Sequence, residues 1–153
     1  MRHQTPCLLP GLLPATTHSY LERSAESLRD AITTPDIASR YAFAHVAALR
    51  ATAALLAARA IPSLQPRSRR QKNAWALLAE VAPELSEWAS FFAAGASKRA
   101  AAEAGESGAV TEREADDLVR DADRFLAVVE QCLGLVGHVP FVDELAINAV
   151  QSA

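Results

Sequence analysis

The stretch "SRYAFAHVAALRATAALLAARA", residues 39–60, decides the fold. Alanine and leucine dominate it, no glycine or proline interrupts it, and these residue types lose least on entering a helix. Ile37, Ala44, Ala48 and Leu55 form one stripe at a period of 3.6, with Tyr41 and Thr52 beside it. Pro35 suits the first turn, where a missing N–H costs nothing, so the spacing predicts a helix from Pro35 to about Ala60. At 1.5 Å per residue it is about 40 Å long, enough to traverse a small domain as its central element.

The flanking sequence repeats the same signal. "HSYLERSAESLRDAI" follows Thr17 with Tyr20, Leu21, Ala25, Leu28 and Ile32 at helical spacing and hydroxyls to cap it. After a break at "IPSLQPRSRRQKNA", Trp75, Leu78 and Val81 begin a third helix that Pro83 ends or kinks. "ELSEWASFFAAGASKRAAAEAG" resumes the pattern as a fourth, with Leu85, Trp88, Phe91 and Phe92 on its apolar face. Thr111 and Glu114 form a capping box opening a fifth, whose core face runs through Val119, Phe125, Leu126, Val129 and Leu133 to a stop at Gly134. The expected class is an all-α, up-and-down bundle of about four long helices plus a short C-terminal one. Residues 1–16 read as a flexible leader, 17–135 as the bundle and 136–153 as a tail. In that tail "VDELAINAV" has Leu145, Ala149 and Val150 to bury, against its own bundle or a partner.

Composition narrows the functional classes. The 153 residues are 50% hydrophobic and 6% aromatic with a net charge of −3, so no whole-molecule basic field exists to hold a nucleic-acid backbone. Cys7 and Cys132 stand apart with no metal-ligand or redox spacing, which fits a reducing, cytoplasmic setting. No window holds the roughly 18 uninterrupted apolar residues of a membrane span, so no membrane association is expected. His3, His18 and His138 lack partners at metal-ligand spacing. There is no Gly-rich phosphate loop, nucleophile motif or paired-carboxylate arrangement, and neither metal nor cofactor is expected. The acidic run Glu112, Glu114, Asp116, Asp117, Asp121 and Asp123 reads as a solvated helix face, and Trp75, Trp88, Phe91 and Phe92 as core.

Arg40 and His45 are the residues best suited to chemistry. They lie five apart, about 140° around a helix, so they flank the apolar stripe on opposite sides and one helix cannot bring them together. A second copy packed on that stripe by two-fold symmetry would bring flanking residues of both chains into one cleft. In a purely structural role, His45 is a hydrogen-bonded histidine at a helix margin and Arg40 pairs with Glu26 or Asp30 of the first helix.

The tracts "SRYAFAHVAALRATAALLAARA", "AWALLAEVAPELSEWASFFAAGASKRAAAEAG" and "VTEREADDLVRDADRFLAVVE", in this order, resemble the HEPN superfamily (higher eukaryotes and prokaryotes nucleotide-binding), specifically a small actinobacterial HEPN-domain family. The similarity covers roughly residues 17–135. It implies a helical bundle, often dimeric, in a superfamily whose catalytic members are metal-independent ribonucleases marked by an arginine followed after four to six residues by a histidine. Arg40 and His45 match that pattern. In such an enzyme His45 would move the proton of the ribose hydroxyl or leaving oxygen, and Arg40 would hold the phosphoryl oxygens. Tyr41 follows the arginine where the ribonuclease members usually carry a polar, site-shaping residue, and the motif lies on the second helix instead of a late one.

Two functions are therefore carried forward. The first is a noncatalytic interaction module, forming a homodimer and binding a protein or RNA partner, with Tyr41, Arg67, Arg69, Arg70 and Lys72 as the partner-binding candidates. The second is a ribonuclease using Arg40 and His45 across the homodimer interface.

Overall fold

A computed structural model of the chain describes residues 12–59 and 73–141. Within them the protein is an up-and-down helical bundle with no strand. Its elements are α1 (Ala15–Thr33), α2 (Ile37–Arg59), α3 (Ala74–Val81), a 3-10 turn at Pro83–Leu85, α4 (Ser86–Ala94), α5 (Ala96–Glu103) and α6 (Glu112–Cys132). Helix α2 is central and packs on α1, α3, α5 and α6, while α1 and α6 also touch.

Alanine makes this arrangement tight. Ala44, Ala47, Ala48, Ala51 and Ala54 are wholly buried, and small side chains let neighbouring helices come close to the α2 backbone. The buried hydroxyls of α1 exploit that approach: Thr17 Oγ1 donates to the Ala54 carbonyl at 3.0 Å and Ser24 Oγ to that of Ala47 at 2.7 Å. Arg50 returns the contact, donating to the Arg23 carbonyl at 3.1 Å and to Ser27 Oγ at 2.7 Å. By length and composition α2 could cross a membrane, but half of its most apolar window, of mean hydropathy 1.4, is buried inside the bundle.

Several boundaries differ from expectation for local reasons. Helix α1 begins at Ala15 with Pro14 before it, so Thr17 lies within the helix and its hydroxyl serves α2 instead of a cap. The cap of α2 is Asp36, whose Oδ2 accepts from Ser39 N at 2.9 Å and Ser39 Oγ at 2.6 Å, leaving Pro35 just outside. The box opening α6 is as expected: Thr111 Oγ1 accepts from Glu114 N at 3.1 Å, and Glu114 Oε2 accepts from Thr111 N at 2.9 Å. Gly134, at φ +77°, closes α6, with its own N–H on the Gln131 carbonyl and that of Leu135 on Glu130.

The expected fourth long helix is instead two short ones, α4 and α5, broken at Gly95. The Gly95 N–H bonds the Phe92 carbonyl at 3.1 Å, tightening the last turn of α4, and the backbone there passes against Tyr41. A Cβ at Gly95 would stand 2.9 Å from the Tyr41 hydroxyl oxygen. Phe91 departs from its predicted place in the core, being 47% exposed, whereas Trp75, Phe92 and Phe125 are buried. The tail beyond Phe141, the leader through Gly11 and residues 60–72 lie outside the described residues, and with them the expected C-terminal helix.

Gly95→Ala should therefore destabilise the fold by about 1–3 kcal/mol, since its extra methyl must displace a buried ring. Thermal melts should show Tyr41→Phe, which removes the atom it meets, recovering part of that loss in the double variant.

Candidate functional site

Arg40 and His45 leave α2 on different sides and serve different neighbours. Arg40, one turn into α2, reaches α6: its Nη1 donates to Asp116 Oδ1 at 2.6 Å and its Nη2 to the Thr34 carbonyl at 3.4 Å. Its partner is thus on the last helix, not Glu26 or Asp30 of α1. The arginine side chain is 17% exposed and Asp116 41%, a pair screened on one side. The two line a cleft of about 310 Å³ with Ala31, Ile32, Val119, Arg120 and Phe141.

His45 is 1% exposed. Its Nε2 lies 3.1 Å from the Phe92 carbonyl, so that nitrogen carries the proton and Nδ1 is left as a buried, unpaired acceptor. The Phe92 carbonyl stands at the break between α4 and α5, where it already accepts from the Gly95 N–H, and the imidazole supplies it with a second donor. Trp75 and Phe92 meet the ring edge-on, with centroids 5.6 and 6.2 Å away. Burial holds the His45 pKa below its ordinary value, against the opposing pull of the Phe92 hydrogen bond. Burial favours the neutral form and the Phe92 carbonyl orients the ring, an arrangement suited to holding a carbonyl and poorly suited to exchanging protons with a substrate.

A second cleft, of about 270 Å³, borders His45 with Tyr41, Phe91, Phe92, Gly95, Lys98 and Leu118. Arg40 is not among its lining residues, and His45 is not among those of the Arg40 cleft. Tyr41 is buried, which raises its phenol pKa. Lys98 donates to Glu114 Oε1 at 2.6 Å, which raises the ammonium pKa and lowers that of the carboxyl. Of the expected partner-binding residues only Tyr41 falls in the described structure; Arg67, Arg69, Arg70 and Lys72 lie outside it.

Sequence spacing gave no sign of a third cluster. His138 sits between two carboxylates of α6: its Nδ1 meets Glu130 Oε1 and its Nε2 meets Asp123 Oδ1 at 2.6 Å. Asp123 is 5% exposed and also accepts from the Phe141 N–H at 2.9 Å, so it belongs to this buried cluster and not to the solvated acidic face predicted for it. Although burial opposes it, the two carboxylates raise the His138 pKa. Among the described residues, no group of three His, Cys, Asp or Glu side chains is placed to hold a metal ion.

The family model for SAV_6107-like HEPN domains matches residues 31–130, from the end of α1 to the last turns of α6. No curated protein matches the chain, and no solved structure does.

The two histidines should give stability opposite pH dependences. With its folded pKa depressed, His45 contributes stability that is complete above its ordinary value of 6.5 and lost as pH falls below it, because the unfolded chain then takes up the proton more readily. With its folded pKa raised, His138 contributes stability that is complete below 6.5 and lost as pH rises through its folded value. Urea titrations across this range should show His45→Gln flattening the acid limb and His138→Gln the alkaline limb.

Proposed function

Because the chain belongs to the SAV_6107-like HEPN family, we propose that it is a noncatalytic member of the superfamily that acts by association, as a homodimer and on a protein partner. The observation that carries the reading is the position of His45: buried, its Nε2 proton engaged by the Phe92 carbonyl, and bordering a different cleft from Arg40. A general acid–base histidine needs hydrogen-bond reach to a substrate oxygen and access to both protonation states. On this chain the Nε2 proton of His45 is engaged by the Phe92 carbonyl, and burial disfavours the protonated ring.

Charge favours a protein partner for the described surface. Arg40, Arg59, Lys98, Arg99, Arg113 and Arg120 each face a carboxylate, which reduces the positive charge these six offer to a phosphate backbone, while Arg23, Arg29, Arg50 and Arg124 are in none of these pairs. The stripe expected to face a second copy is taken up by the chain's own core, Ala44, Ala48 and Leu55 being wholly buried. The homodimer reading rests instead on the outer side of α2, where Ala38, Ala42, Phe43 and Val46 line a groove of about 600 Å³ together with Ala102 of α5 and the acidic Asp36, Glu103 and Glu106. Phe43 is 37% exposed there, on a helix that is apolar on nearly every side.

Two experiments test the reading. Purified protein incubated with a structured RNA in excess chelator should leave it intact, as should His45→Gln, which retains an N–H donor for Phe92. Cleavage by wild type that a folded His45→Gln loses would favour instead a ribonuclease using Arg40 and His45 across the dimer. Light scattering should give a dimeric mass for wild type and a monomeric one for Phe43→Glu; a wild-type monomer at all concentrations removes the dimer from the proposal.

A further inference from the structure

We propose that residues 136–141 form a proton-operated strap over the groove between α1 and α6, docked while His138 is an imidazolium and released when the ring is neutral. The geometry of the clasp requires the second proton. The Nδ1 of His138 meets Glu130 Oε1 and its Nε2 meets Asp123 Oδ1 at 2.6 Å, so both ring nitrogens face acceptors. A neutral imidazole carries one N–H and serves only one of them, while its other nitrogen turns a lone pair on a carboxylate oxygen. No tautomer satisfies both.

The rest of the strap depends on this clasp. Among the described residues, the hydrogen bonds joining 136–141 to α6 are those of His138 and that of the Phe141 N–H, which goes to the same Asp123. Val136 and Val139 are exposed, leaving the half-buried Phe141 ring as the main apolar anchor. The His138 side chain is 34% exposed and exchanges its proton with water in place. Burial opposes the charged ring, yet the two carboxylates raise its pKa above the ordinary 6.5. Arg29 of α1 also lines the His138 cleft and favours the neutral ring, one cation against two carboxylates. On the Phe141 side stand Arg40, Asp116 and Arg120. With the docked pKa raised, docking is complete below 6.5 and is lost as pH rises through the docked value, the docking constant falling about tenfold per pH unit between the two. Release changes the surface. His138 stands in the wall of a cleft of about 300 Å³ with Leu21, Ala25, Leu28 and Leu126, Phe141 stands in the wall of the Arg40 cleft, and Ile32 lines both. Lifting the strap joins the two clefts into one groove between α1 and α6.

Fluorine NMR of the full chain labelled with para-fluorophenylalanine tests this, with the Phe141 line assigned through Phe141→Leu. Relaxation of that line by a neutral, soluble gadolinium chelate reports exposure of the ring, independently of the charge on His138. As pH rises from about 5 to about 9, the enhancement should climb in a single one-proton step. Its midpoint should coincide with the titration of the His138 ring protons, while the Phe92 and Phe125 lines stay fixed. In His138→Gln, which carries no charge at any pH, the Phe141 line should show the high enhancement throughout. A Phe141 ring still shielded after His138 has lost its proton would overturn the proposal. So would shielding retained in His138→Gln, a pH step that survives that substitution, or Phe92 and Phe125 lines that move with Phe141, which marks unfolding of the bundle.

Discussion

The bundle depends on how closely its helices approach the backbone of α2. A row of alanines on that helix leaves no side-chain bulk between it and its neighbours, and the Thr17 and Ser24 hydroxyls of α1 take advantage by donating directly to α2 carbonyls. Each such bond is worth about 0.5–1.5 kcal/mol net, but it has a second effect. Side chains this short reach across only at one axial offset, so they set the register of α1 on α2. The bulky apolar groups are displaced elsewhere: Trp75, Trp88, Phe92 and Phe125 gather in one cluster at the α3–α4 side, with ring centroids 5.1 to 5.9 Å apart.

His45 joins these two regions. It stands on the central helix but points into the aromatic cluster, where it meets the Phe92 carbonyl at the break between α4 and α5. Tyr41, one turn earlier, fills the space that Gly95 leaves on the same break. The two residues nearest the family's arginine–histidine pattern thereby act on the shape of α4 and α5. Arg40, facing the other way, ties α2 to α6 through Asp116.

Patterns confined to one helix were readable in the sequence. The α2 stripe, the Thr111–Glu114 capping box and the Gly134 stop all rest on spacings of seven residues or fewer, set by local backbone geometry. The angular divergence of Arg40 and His45 was readable for the same reason. What escaped depends on distant partners. Gly95 sits in an alanine-rich run that favours continuous helix, and its requirement comes from Tyr41, far back in the chain. Asp123 has the spacing of a solvated acid until His138 and Phe141 return to it. Phe91 shares a helical face with Trp88 and Leu85, yet α4 is too short and too peripheral for its neighbours to cover that ring.

By itself, then, the sequence determined an all-α bundle, the approximate span of α1, α2 and α6, its resemblance to HEPN domains and Arg40 and His45 as the candidate pair. These follow from propensity, periodicity and motif, which neighbouring residues carry among themselves. Only the tertiary structure decided what that pair does on one chain. Protonation and access are set by surroundings: a carbonyl from α4 and two aromatic walls make His45 a neutral, buried donor, and a carboxylate from α6 engages Arg40.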